Sequence, residues 1–305
     1  MTSSLSSTAG DVVNLYMNLL PVELLFAKVL HWAVVCLSSL PPSHSLYAPI
    51  HRVAKCYVLR HQSPLHHLFH IMGVNPAMIE MVLPVQCCPS YLPSFSKHIA
   101  QNKDLALMEA DNTFCNTKAL VYCNGSGYKG NIGAAAVLFI DEEEANSLKY
   151  HLRPKTHHIV YEAEVIGILL GLQLPTDLAN RLPAQVAIGS DSQAMIRALF
   201  NQCPCPTHYL LDWVHASTEK LHTKQDRLVC SQACCHALCQ GAKWKGHTCG
   251  VIDLQIHWTL GHTDFQPNKR ADELAKEAMK GSSSQFACLP KVLWKGPLPT
   301  NISAA

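Results

Sequence analysis

Charge is what this sequence has least of. Of its 305 residues only 15% are Asp, Glu, Lys or Arg, and the net charge is +2. A strong whole-chain attraction for polyanions is therefore excluded, although local basic faces are not. A run long enough to span a bilayer is also missing. The longest apolar stretch, Leu24 to Leu40, carries Lys28 and His31 and stops at Pro41-Pro42, so it reads as a buried helix and no membrane partner is expected. Met1 to Gly10 is Ser/Thr-rich and uncharged, unlike the basic start of an export signal. The 14 cysteines then read as reduced thiols of an intracellular protein, not as a disulfide framework. What remains, at 48% hydrophobic, is a globular chain of one large or two modest domains.

Residues 1 to 90 read as a helical segment. Leu15, Leu19, Leu20, Leu24, Leu25, Val29, Leu30 and Val34 keep a spacing of three to four, interrupted by Pro21 and ended by Pro41-Pro42. A second helix follows from Ile50 and a third, His-rich one over His61 to Met72. His61, His66, His67 and His70 fall at helical spacing, but no Cys or carboxylate accompanies them, so packed or solvated histidines are the reading. Prolines at 76, 84, 89 and 93 mark irregular chain, with a linker over 91–114. From there the texture changes to short strands and glycine turns. Strands are expected at 119–124, 133–140 and 147–152, with a Gly-Ser-Gly turn after the first. A helix over 160–173, a strand at 185–189 with its helix, an amphipathic helix at 209–221, a strand at 253–258 and a last helix after Pro267 complete the order. A meander followed by crossovers predicts an α/β fold with a five-stranded mixed sheet flanked by helices.

Candidate chemistry sits at the ends of these elements. Asn124 closes the first strand, Glu164 lies on the first helix of the sheet domain, Asp191 closes the fourth strand and Asp272 lies in the last helix. His262 is in the loop before it. Each alone has an ordinary reading: Asp191 a helix N-cap, Asp272 a surface acid, His262 a solvated loop histidine. Glu162, two residues from Glu164, points elsewhere on its helix. Taken in order, however, Val121-Tyr122-Cys123-Asn124-Gly125-Ser126-Gly127, Tyr161-Glu162-Ala163-Glu164, Gly189-Ser190-Asp191-Ser192-Gln193, and Trp258-Thr259-Leu260-Gly261-His262 through Asn268 to Ala271-Asp272-Glu273-Leu274-Ala275 resemble type 1 ribonuclease H. The resemblance covers Thr117 to Met279 and implies a ribonuclease H-like domain over 115–281, with 282–305 as a tail. The N-terminal segment, at Leu20-Pro21-Val22-Glu23-Leu24-Leu25 and Leu40-Pro41-Pro42-Ser43-His44, resembles the region that precedes this domain in fungal non-LTR retrotransposon polyproteins. No polymerase Asp-Asp motif is present, so the resemblance implies the tail part of such a larger polyprotein.

The resemblance further implies hydrolysis of the RNA strand of an RNA–DNA hybrid, with two Mg²⁺ ions (or Mn²⁺) and no small-molecule cofactor. Hard cations about 4 Å apart call for carboxylate oxygens, and the implied ligands are Asn124, Glu164, Asp191 and Asp272. His262 takes proton transfer or product release, and Gly125 and Ser126 approach the RNA strand to read a 2′-OH. The departure is Asn124, where the family carries Asp. A neutral ligand between two divalent cations weakens their binding, and Asp141 to Glu144 should lie too far away to substitute. Impaired turnover is expected, or a silent hybrid-binding relic. The Cys-rich interval 226–250 spaces Cys230, Cys234, Cys235 and Cys239 without a CxxC pair; it reads as a loosely constrained insert and not as a zinc module.

Overall fold

The computed structural model describes residues 20–55, 63–84, 93–152, 154–178, 182–201, 203–239, 252–261 and 265–305, with backbone alone for 229–230 and 232–239. The chain divides into two compact units, Met1–Val82 and Leu83–Ala304. In the first, α1 (Val22–Ser38), α2 (Tyr47–Lys55) and α3 (Pro64–Met72) surround a small core of Val34, Ile50 and Phe69. One histidine of α3 serves the helix itself: His66 Nδ1 lies 3.2 Å from the Ser63 amide and 2.9 Å from its hydroxyl, a capping contact at the helix start. No helix among the described residues is long and apolar enough to cross a membrane.

The second unit contains β1 (Ser96–His98), α4 (Lys103–Asn116), β2 (Ala119–Tyr128), β3 (Asn131–Ile140), β4 (Glu143–His151), α5 (Val160–Asp177), β5 (Gln185–Ser190), α6 (Gln193–Ala198), α7 (His208–Cys239), β6 (Asp253–Trp258) and α8 (Gln266–Met279). They build one sheet in the order β1-β6-β5-β2-β3-β4. The β2–β3–β4 meander is antiparallel, whereas β2–β5, β5–β6 and β6–β1 are parallel. This is the ribonuclease H-like α/β arrangement the sequence implied, with six strands instead of five.

The strand alternation of β2 sorts the two faces. Val121 and Cys123 join the core beneath α5 and α7, while Leu120 and Tyr122 join a second core with Leu274, Ala275 and Phe265 beneath α8. Buried on both sides, α5 is apolar around most of its girth, which explains its uninterrupted Ile-Leu-Leu-Gly-Leu run. Arg270 on α8 pins the start of β4 through Glu144, at 3.0 Å.

Several boundaries differ from the sequence reading. The presumed linker contains β1 and α4. β1 is three exposed polar residues, Ser-Lys-His, held by register with β6 (Lys97 opposite Ile256), so it has no hydrophobic pattern to betray it. α4 starts where Asn102 accepts the Leu105 amide at 2.8 Å; its weakly apolar sequence hid it. Gly125-Ser126-Gly127 is extended strand, and the chain turns later, at Lys129 and Gly130, both with positive φ. Asp141 and Glu142 form the next turn, also at positive φ, so β4 starts earlier than expected. α7 continues to Cys239, making the first part of the Cys-rich interval helical; residues 240–251 lie outside the described set. The tail folds back through two short 3₁₀ turns, and Leu289, Leu293 and Leu298 enter the main core.

Candidate active site

Parallel pairing of β2 with β5 sets Cys123 opposite Ser190. The next residue on each strand, Asn124 and Asp191, therefore emerges side by side at the carboxyl end of the sheet, where loops and helix starts converge. α5 delivers Glu164 to the same place because β2 has glycine there: a Cβ on Gly125 would lie 2.4 Å from the Glu164 nitrogen. Gly125 thus accommodates the helix, and Gly133 does the same for α8, where a Cβ would meet the Ala275 carbonyl at 2.6 Å. That second close approach lowers Asp272 onto Asn124.

The bonds between these groups are specific. Asn124 is buried and donates its amide Nδ2 to Asp272 Oδ1 at 3.2 Å. Lys276, one turn along α8, donates to the other oxygen of Asp272 at 2.5 Å. Glu164 accepts a short hydrogen bond from the Ser192 hydroxyl; the same Ser192 oxygen caps α6 by accepting the Met195 amide. Burial pushes the Glu164 carboxyl above its ordinary range; the Ser192 bond opposes this and the Asp191 charge adds to it. The Cys123 thiol, fully buried behind them, is held protonated by burial first and then by the Asp191 charge. Trp258 donates its indole N–H to the Asp191 carbonyl at 3.1 Å, and a Cβ on Gly261 would strike Asp191 Oδ2 at 2.6 Å. Gly261, just after β6, therefore packs against this carboxylate.

No family model matches the chain. Ribonuclease H of Clostridium botulinum, in two strains, is 26% identical over 171 residues, spanning 53% of this chain and 95% of the bacterial protein. The similar proteins are ribonucleases H. Among solved structures, the N-terminal RNase H domain of a Mycobacterium tuberculosis protein (17% identical, TM-score 0.35) and RNase H1 of Halobacterium salinarum (17%, 0.36) each match 54% of this chain and 96% and 98% of theirs. An RNase H1 in complex with an RNA/DNA hybrid matches likewise (16%, 0.34, 54% and 98%).

Of the residues singled out in the sequence, Asn124 and Asp272 touch, and Glu164 and Asp191 lie within electrostatic reach of each other. His262 falls in 262–264, outside the described residues. Glu162 is the capping acid: its Oε2 accepts the Ile159 amide at 3.0 Å and lies 3.1 Å from buried His158 Nδ1. Ser192 and Lys276 were missed, although an N-cap serine directly after Asp191 and a lysine four residues after Asp272 are both legible signals.

Oxygen donors of this kind suit hard divalent ions, but a neutral amide at Asn124 makes them a weaker two-ion centre than four carboxylates would be. The Asn124 amide turns its N–H towards Asp272, and Lys276 neutralises that carboxylate. Among the described residues no group of three His, Cys, Asp or Glu side chains is disposed to hold a metal ion. Ser126, by contrast, opens onto a groove of about 670 Å³ lined also by Tyr128, Lys129, Asn131, Lys276 and Lys280. Lys129 reaches over the exposed Tyr128 ring, 5.3 Å from its centroid.

Proposed function

We propose that this chain is an RNA–DNA hybrid ribonuclease of the ribonuclease H type, of retroelement origin, whose turnover is held low by Asn124. The observation that supports the reading is that Asn124 bonds to Asp272 while Glu164 and Asp191 lie within electrostatic reach of each other, beside the parallel pairing of β2 with β5. The basic groove beside Ser126 supports a polyanionic substrate, since phosphates supply most of the affinity for nucleic acid. Ser126 is the candidate for contact with the RNA strand. Gly125 serves the packing of α5.

A second reading, a hybrid-binding protein without turnover, is favoured by the Asn124–Asp272–Lys276 chain of bonds. There a side-chain ammonium satisfies a carboxylate that catalysis would leave to a metal. Cleavage of a labelled hybrid in Mg²⁺, with Asn124→Asp beside the native chain, separates the two. Slow cutting by the native chain and at least about tenfold faster cutting by the variant is expected, that factor corresponding to about 1.4 kcal/mol of barrier. Activity in the variant alone favours the binder, and no cutting by either overturns the enzyme reading. Calorimetry adds a check: tight binding of two Mg²⁺ ions by the native chain would sink the claim that Asn124 impairs it.

A further inference from the structure

The element that the sequence did not announce, β1 with the turn leading into α4, sits at the edge of the sheet beside β6. It lies outside the stretch Thr117 to Met279 that carries the ribonuclease H resemblance. Together with α6 it encloses a second groove, of about 710 Å³, lined by Lys97, Ile99, Ala100, Gln101, Asn102, Lys103, Gln193, Arg197 and Trp258. Three cations line it and no carboxylate is among these residues. Lys97, Lys103 and Arg197 are all exposed. Arg197 is braced by its Nη2 bond to Gln193 Oε1 at 2.9 Å, and Lys97 stands over the Phe200 ring at 4.3 Å. Exposed lysines usually lose rotamer freedom on binding; holding Lys97 and Arg197 in place beforehand lowers that cost.

The position gives the groove its meaning. Trp258, in its wall, bonds the Asp191 carbonyl, and Gln193 is two residues past Asp191. The carboxylate cluster is thus flanked by this groove on the β6 and α6 side and by the Lys129, Lys276 and Lys280 groove on the β3 and α8 side. A polyanion lying across a cluster of carboxylates is repelled at its middle, so cations on both sides must supply its affinity. A near-neutral chain has no general positive field to do so.

We infer that the groove of Lys97, Lys103 and Arg197 is a second nucleic-acid anchor, which takes the phosphodiester backbone of the hybrid on the Asp191 side of the cluster. The inference rests on the hybrid-ribonuclease reading and adds to it a contact in which Lys97 and Lys103, from outside the resembling stretch, join Arg197 from within it. Amide groups of Gln101, Asn102 and Gln193 supply neutral donors to phosphate oxygens, the kind of contact that positions a duplex without reading its sequence.

The test is fluorescence anisotropy of a labelled RNA–DNA hybrid with the full chain, titrated across about 50 to 200 mM salt, a range over which phosphate contacts dominate affinity. The comparison is with a Lys97→Ala, Lys103→Ala, Arg197→Ala triple variant. Each lost phosphate contact lowers the slope of log K against log salt by about 0.9, so a slope reduced by about 2 to 3 and weaker binding at low salt are expected. Circular dichroism and the urea midpoint verify that the triple variant is folded, and Lys103→Glu alone should weaken binding further than Lys103→Ala. A native chain that binds the hybrid, with the triple variant unchanged in affinity and slope, overturns the anchor and leaves the functional reading standing. A native chain that binds no hybrid even at low salt overturns both.

Discussion

At Asn124 a single amide decides which atoms face each other. A carboxylate there would meet Asp272 with like charge, and only a cation between the two would reconcile them. The amide instead bonds to Asp272 directly and leaves Lys276 to neutralise it. Asn124→Asp should therefore melt lower than the native chain in EDTA and regain stability in Mg²⁺, with the native chain indifferent to the metal; thermal unfolding with and without Mg²⁺ reads this out. Gly125 offers a second residue-level test. A methyl group at its Cβ position collides with the backbone of α5, 2.4 Å from the Glu164 nitrogen. Gly125→Ala should cost about 3 kcal/mol or more, at the upper end of overpacking, seen as a lower urea midpoint with reduced hybrid affinity. The motif residues were legible in the sequence because their types are set by position in the fold. The bond from Asn124 to Asp272 was not, since it joins side chains 148 positions apart.

Among the elements, β6 carries a titratable weakness. His257 is buried in the middle of the parallel ladder, opposite Gly189 on one side and His98 on the other, with the Tyr122 ring 6.0 Å away. Neither of its ring nitrogens has a hydrogen-bond partner. Burial first, and the proximity of His98 second, lower its pKa from 6.5 to about 4. The folded state thus binds this proton more weakly than the unfolded chain. The stability contributed is present above pH 6.5 and is lost as pH falls towards 4, by up to roughly 3 kcal/mol. Urea midpoints at pH 7 and pH 4.5 should show that loss, and His257→Leu should flatten the dependence. Long, strongly patterned elements such as α5 and β2 were readable from periodicity. β1 and α4 were not, because three polar residues and a weakly amphipathic helix acquire their structure from β6 and from the α8-side core they complete.

At the scale of the whole molecule, the division at Val82 and Leu83 makes a concrete expectation. Residues 83–305 should fold without the first unit, with one cooperative urea transition and native-like circular dichroism. The fragment should also be the more soluble form, because α1 leaves Leu24, Leu25, Phe26, Val29 and Trp32 exposed, an apolar face of the kind that promotes association. The last residues of the chain give the second unit a further property. Asn301 donates its backbone N–H to the His157 carbonyl at 2.8 Å and its side-chain amide to the Thr207 hydroxyl, also at 2.8 Å. β1 likewise waits for β6, since Lys97 pairs with Ile256. During synthesis, then, the edge of the sheet stays open until β6 has left the ribosome, and the contacts of Asn301 form later still. A domain closed by its far end is exposed to chaperones and proteases for longer than one that folds from its beginning.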